Sequence, residues 1–212
     1  MRLKAIAPIV FAATAAFSSA VLAEEAEPLE IVVLGDSLVA GYQLGSGEDY
    51  PTRLQAALEA KGYQISVINA GVSGDTTSGG LARVDWSVPD GADGVILELG
   101  ANDALRGIAP QKVEDNLAAI ISRLQERDIP VMLMGMMAPP NMGEDYAAEF
   151  NPVYDDLASR YSLPLYPFFL NGVTTHPDLQ LSDGMHPNAD GVEVMVENTL
   201  PAVEAFIKTI RG

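Results

Sequence analysis

Ile31-Val32-Val33-Leu34-Gly35-Asp36-Ser37-Leu38 is the stretch that decides the fold. Four consecutive apolar residues, three of them β-branched, suit a short strand buried on both faces, as in a parallel sheet. Gly35 ends the run and puts Asp36 and Ser37 at its tip. The pattern recurs along the chain. Residues 65–68, apolar except for Ser66, lead into Asn69-Ala70-Gly71-Val72-Ser73-Gly74; residues 95–99 lead into Gly100-Ala101-Asn102-Asp103; residues 131–136 lead into Ala138-Pro139-Pro140-Asn141. Residues 163–166 make a short fifth strand. Helical spacing fills the intervals: 51–61 (Leu54, Ala57, Leu58) ends at Gly62, 81–84 belongs to a short helix, and 110–127 opens on Pro110 with Val113, Leu117, Ile120, Ile121 and Leu124 on one stripe. A helix is expected over 145–161, weakened in its middle by Pro152, and a closing helix over 188–210, with Pro201 a candidate interruption. Alternating strands and helices imply a parallel sheet covered on both faces, with its ligand site beyond the carboxyl ends of the strands. The glycine-rich and polar segments collect at those ends, which points to an enzyme.

The chain has 212 residues, 48% apolar and 19% charged, a size and composition that fit one globular domain. The first 23 residues read differently. Arg2 and Lys4 precede an alanine-rich apolar run, and Val21-Leu22-Ala23 offers small residues at a cleavage site, so residues 1–23 are expected to be a removable secretory signal and 24–212 the single mature domain. A periplasmic or secreted protein follows, with no stable membrane insertion once the signal is removed. Without cysteine, neither disulfides, thiol catalysis nor thiolate metal sites are open to it. The formal net charge of −17 argues against nucleic acid as a partner, because that binding depends on basic contacts to phosphate.

Two histidines, His176 and His186, are the only residues of their type. His186 lies three residues after Asp183 in Asp183-Gly184-Met185-His186-Pro187, so one turn delivers an acid and a base together. A serine hydroxyl needs such a base to become a nucleophile. Each short motif by itself also suits a turn or a helix cap: Gly35-Asp36-Ser37 as a strand-to-helix turn, Asp183 as the organiser of its loop, Gly71 as a turn glycine, Asn102 as a loop side chain. His176 reads as a loop residue at the margin. Asp36 and Asp103 read as turn and supporting groups. Met132, Met134, Met136 and Met137 belong mostly to the core. No paired spacing of ligands suggests a metal, and no cofactor is expected.

The conjunction of motifs resembles the SGNH (GDSL-type) hydrolases, and within them the bacterial periplasmic esterases related to acyl-CoA thioesterase I, also described as lysophospholipases and arylesterases. The matching stretches are residues 35–42, 69–76, 79–83, 98–106 and 183–188. The resemblance implies a flavodoxin-like three-layer α/β sandwich with a five-stranded sheet. It implies Ser37 as nucleophile, His186 as base with Asp183 beside it, and an oxyanion hole from Ser37, Gly71 and Asn102. The expected activity is cleavage of fatty acyl or aryl esters or thioesters through an acyl-enzyme, on a small-molecule substrate. Two other readings are a carbohydrate deacetylase of the same superfamily and a non-enzymatic binding module using Gly35-Asp36-Ser37 as an anion loop. The module leaves Asn102, Asp183 and His186 without roles. Met142, in the segment after the fourth strand, is the candidate contact for an acyl chain.

Overall fold

The computed structural model describes residues 28–211, so the expected leader at 1–23 lies outside the described residues. Five strands form one parallel sheet: β1 (Leu29–Gly35), β2 (Ile65–Gly71), β3 (Gly94–Glu98), β4 (Val131–Met134) and β5 (Leu165–Tyr166). Their order is β2-β1-β3-β4-β5. Eight α-helices accompany them among the described residues: α1 (Ser37–Ala40), α2 (Tyr50–Ala60), α3 (Thr77–Ser87), α4 (Ala101–Leu105), α5 (Pro110–Gln125), α6 (Glu144–Phe150), α7 (Val153–Tyr161) and α8 (Ala189–Arg211).

The chain moves outward from β1 to β2 and then returns across β1 to β3. Right-handed crossovers in opposite directions put their helices on opposite faces. Accordingly α2 packs with α8, and α5 packs with α3 and α7. The reversal between β1 and β3 opens a crevice beyond their carboxyl ends. Ser37 follows β1 and Asn102 follows β3, so the topology alone sets both at that crevice.

Ile31, Val32, Val33 and Leu34 are almost wholly buried, as a central strand demands. Val113, Leu117, Ile120, Ile121 and Leu124 are the buried stripe of α5, each contributing about 1.5–3 kcal/mol relative to exposure. Helix α2 starts where the Asp49 carboxylate accepts the Thr52 N–H at 3.1 Å, with Pro51 in the first turn. Tyr50 then anchors it, edge-on to Phe169 at 4.8 Å and hydrogen-bonded to Thr199 of α8 at 2.8 Å.

The expected helix over 145–161 is two helices, because Pro152 has no N–H to donate and crowds the preceding turn. Pro201, by contrast, does not interrupt α8. It sits on the exposed side, as does Glu197, whose carbonyl it has no N–H to bond, while Val192, Met195, Val196, Val203, Phe206 and Ile207 bury a stripe on either side of it. Short α1 and α4 follow β1 and β3 directly, and α3 is longer than the segment expected at 81–84.

Candidate active site

Asp36 organises the turn out of β1. Its Oδ1 accepts the Leu38 N–H at 3.0 Å and caps α1, and Gly41 closes that single turn in the left-handed region at φ +77°. Ser37 is therefore the first residue of a helix whose leading N–H has no intrahelical partner. Its side chain meets the far end of the sequence: Ser37 Oγ lies 2.8 Å from His186 Nε2.

His186 hangs on a turn that the local sequence builds. Gly184 takes φ +66°, the Leu181 N–H donates to the His186 carbonyl at 2.8 Å, and Gln180 bridges Pro187. Asp183 serves this turn with both carboxylate oxygens. Oδ1 accepts the N–H groups of Met185 (2.9 Å) and His186 (3.0 Å), and Oδ2 lies 2.7 Å from His186 Nδ1. Partial burial of the carboxyl opposes its ionisation, but the two N–H groups and the imidazole outweigh this and hold Asp183 down to about 2. A carboxylate at Nδ1 requires a proton there, so Nε2 is left as the acceptor for the Ser37 hydroxyl. The Tyr42 ring, 4.6 Å from the imidazole and tilted 39°, covers one side of it. Asn188 then bonds the Gly191 N–H at 2.9 Å and starts α8. His176 is elsewhere, exposed before the 3₁₀ turn Pro177–Leu179, and its ring makes no hydrogen bond among the described residues.

Asn102 sits in the first turn of α4. Its Nδ2 donates to Asp36 Oδ2 at 2.9 Å, which leaves the second amide hydrogen unspent. Asp103 turns away and binds the N–H and hydroxyl of Thr77 at 2.8 and 2.7 Å, tying α4 to α3. Gly71 requires a correction. Its N–H already donates to Asn69 Oδ1 at 3.0 Å, so it is not a free oxyanion donor. Gly71 is glycine for packing: an added Cβ would collide with Ala40 N and lie 2.8 Å from Ala40 Cα and Val39 C, all backbone of α1. In the following turn the Asp75 N–H returns to the Val72 carbonyl, Gly74 takes φ +83°, and its own N–H has no partner among the described residues.

Sequence reasoning passed over two supporting residues. Arg83, buried in α3, donates to Asp75 (2.6 Å), to the carbonyls of Ala70 and Gly35 (both 2.8 Å) and to Ser87 (3.0 Å). It thereby ties the ends of β1 and β2 to the loop after β2. Glu98, fully buried at the end of β3, accepts the Asp36 N–H at 3.2 Å. Its signal was a carboxylate in an otherwise apolar strand. Met142 ends the 3₁₀ turn Pro140–Met142, with its Cε 3.5 Å from where a Gly107 Cβ would be, so it lies against the loop that follows α4. No group of three histidine, aspartate or glutamate side chains suited to a metal ion occurs among the described residues.

The family model described as GDSL-like Lipase/Acylhydrolase matches residues 33–194. The chain belongs to this GDSL-like family. It is 41% identical over 165 residues to an arylesterase of Vibrio mimicus, covering 76% of this chain and 81% of that one. It is 35% identical over 187 residues to esterase TesA of Pseudomonas aeruginosa, covering 88% and 93%. Among solved structures it resembles AlinE4, an SGNH-hydrolase family esterase, at 48% identity and a TM-score of 0.72, over 84% of this chain and 96% of that one.

Proposed function

We propose that this GDSL-like protein is a serine hydrolase that cleaves carboxylic esters or thioesters of acyl or aryl groups through an acyl-enzyme. The observation that carries the reading is the continuous chain from Ser37 Oγ to His186 Nε2 (2.8 Å) and from His186 Nδ1 to Asp183 Oδ2 (2.7 Å). The Ser37 hydroxyl passes its proton to Nε2 as its oxygen attacks the carbonyl carbon. Asp183 holds the imidazole in the required tautomer and stabilises the imidazolium. The oxyanion that forms is held by the Ser37 N–H, the unspent hydrogen of Asn102 Nδ2 and the Gly74 N–H, which replaces the Gly71 donor. His186 then gives its proton to the departing alcohol, phenol or thiol. Water repeats the sequence on the acyl-enzyme, with His186 again as base, and frees the acid.

Several exposed side chains around these groups are apolar. Tyr42 (39%), Val72 (42%), Leu105 (49%), Met137 (51%) and Met185 (48%) follow the strand ends or flank His186. They favour an apolar acyl or aryl group over a sugar, and we read Met142, set against Gly107 two residues after Leu105, as part of the same surface. The N-terminal 23 residues are read as a secretory signal, which makes the mature enzyme periplasmic or secreted. No helix among the described residues is long and apolar enough to cross a membrane.

The test is phosphonylation. A p-nitrophenyl phosphonate should label the intact protein once, at Ser37, and abolish hydrolysis of p-nitrophenyl esters. A folded Ser37→Ala variant should neither be labelled nor turn over. Label on another residue, or Ser37→Ala turnover above a few per cent of wild type, would refute the assignment.

A further inference from the structure

Two carboxyl groups meet, out of water, behind the nucleophile. Asp36 and Glu98 are both fully buried, and the Asp36 N–H donates to Glu98 Oε2 at 3.2 Å. Asp36 is well supplied with donors: Leu38 N–H on Oδ1 at 3.0 Å and Asn102 Nδ2 on Oδ2 at 2.9 Å. Glu98 has one donor, the Asp36 N–H on Oε2, and its Oε1 accepts from nothing. The other charged or titratable groups nearby do not neutralise the pair. Arg83 spends its Nη2 on the Gly35 carbonyl, and Tyr154 donates to the Leu99 carbonyl at 2.8 Å. His186 favours the anion at Asp36 when it carries a proton.

Two adjacent carboxyls in such a site cannot both ionise. The proton belongs where donors are fewest, on the oxygen that no donor faces. Burial and the Asp36 charge push Glu98 well above the ordinary glutamate range. Burial also lifts Asp36, against the pull of its N–H donors, to about 6.

We propose that Glu98 is a positioning residue: it stays protonated, donates its hydroxyl to Asp36, and so fixes the carboxylate that holds the Asn102 amide towards the oxyanion. No proton moves along this relay during turnover. The relay deepens the proposed function and rests on the reading of Asn102 as an oxyanion donor. Without the Glu98 hydroxyl, the buried Asp36 carboxylate keeps a single donor on each oxygen and turns more freely, and Asn102 follows it.

The discriminating pair is Glu98→Gln and Glu98→Met. Glutamine keeps both contacts, an N–H for Asp36 and a carbonyl for the Asp36 N–H. Methionine keeps the volume and neither contact. On a p-nitrophenyl ester, Glu98→Met should lower kcat roughly 10- to 100-fold, the scale on which a misplaced group loses catalysis. KM should stay within about twofold, and Glu98→Gln should recover most of the lost kcat. In the Glu98→Met background, Asn102→Ala should cost far less than it does alone, because the two act as one unit. Near-wild-type kcat in Glu98→Met, a loss confined to KM, or independent multiplication of the two effects would overturn the relay. An Asn102→Ala variant with wild-type kcat would instead overturn the oxyanion reading, and the relay with it. Infrared difference spectra keep the proposal testable if Glu98→Met fails to fold. At pH 7, the Glu98→Gln minus wild-type spectrum should show a negative protonated-carboxyl band; a negative carboxylate band in its place would show Glu98 ionised and refute the proposal.

Discussion

Gly71→Ala isolates the reason for a glycine packed against α1. Alanine keeps the N–H, so a purely hydrogen-bonding role would survive the change. The structure gives the added methyl no room. It would overlap Ala40 N and sit 2.8 Å from Ala40 Cα and Val39 C, where ordinary carbon contacts need about 3.5 Å or more. These atoms are helix backbone and cannot rotate aside, so α1 or the end of β2 must shift by roughly 1 Å. Overpacking of this kind costs about 1–3 kcal/mol. At about 2–4 °C per kcal/mol for a domain of this size, Tm should fall by roughly 2–12 °C. The same shift carries Ser37, three residues before Ala40, out of its 2.8 Å contact with His186. A displacement of about 1 Å is enough for a loss near 100-fold in kcat. Differential scanning calorimetry and initial rates on p-nitrophenyl esters measure the two effects. A variant with wild-type Tm and wild-type kcat would refute the packing argument. Wild-type Tm with a large loss of kcat would show that Gly71 acts in the chemistry after all.

Four further outcomes are expected. Asn102→Ala should lower kcat about 100- to 1,000-fold with little change in KM, since its amide is aimed at charge that appears only in the transition state; steady-state kinetics would show a pure KM effect if it bound substrate instead. Arg83→Met removes a buried cation that ties two strand ends to a loop and should cost roughly 3–5 kcal/mol, seen as a Tm lower by roughly 6–20 °C. Asp183→Asn should cut kcat by about 10⁴. Because Asp183 is held down to about 2, its contribution to stability is present above the ordinary aspartate pKa and is lost as pH falls through 2, so the Tm gap between wild type and Asp183→Asn should close in acid. Met142→Ser should reduce kcat/KM for long acyl esters and spare acetate, by up to about 0.8 kcal/mol per methylene left uncovered; an equal loss on acetate and octanoate would place Met142 outside the acyl site.

The parts legible in the sequence are those with a local cause. Residues 31–34 announce a buried strand because nothing polar interrupts them. Asp183 and His186 announce an acid–base pair because three residues of turn suffice to join them. Short α1 and α4 were not legible: four and five residues are too few for a helical period to show. Pro152 and Pro201 present the same covalent obstacle, yet one divides a helix and the other does not. The difference lies in the buried residues that grip α8 on both sides of Pro201, which only the fold brings together. The Gly71 role failed for a related reason. A glycine needed for close approach to a substrate and one needed for close approach to a neighbouring helix are written with the same letter. Glu98 was visible as a carboxylate in an apolar strand, but its partner Asp36 becomes a neighbour only once β1 and β3 lie side by side.

Ser37 and His186 are 149 residues apart along the chain, whereas His186 and Asp183 are separated by three. During refolding the two kinds of contact form under different entropic terms. The turn at 183–186 closes a small loop, and its imidazole–carboxylate pair can form before the sheet is complete. The contact to Ser37 must wait until the first strand and the last turn have docked, because closing so long a loop is repaid only by the whole sheet. Phosphonate reactivity at Ser37 therefore serves as a clock for the final docking event. During refolding it should lag behind the recovery of helical signal and coincide with burial of β1.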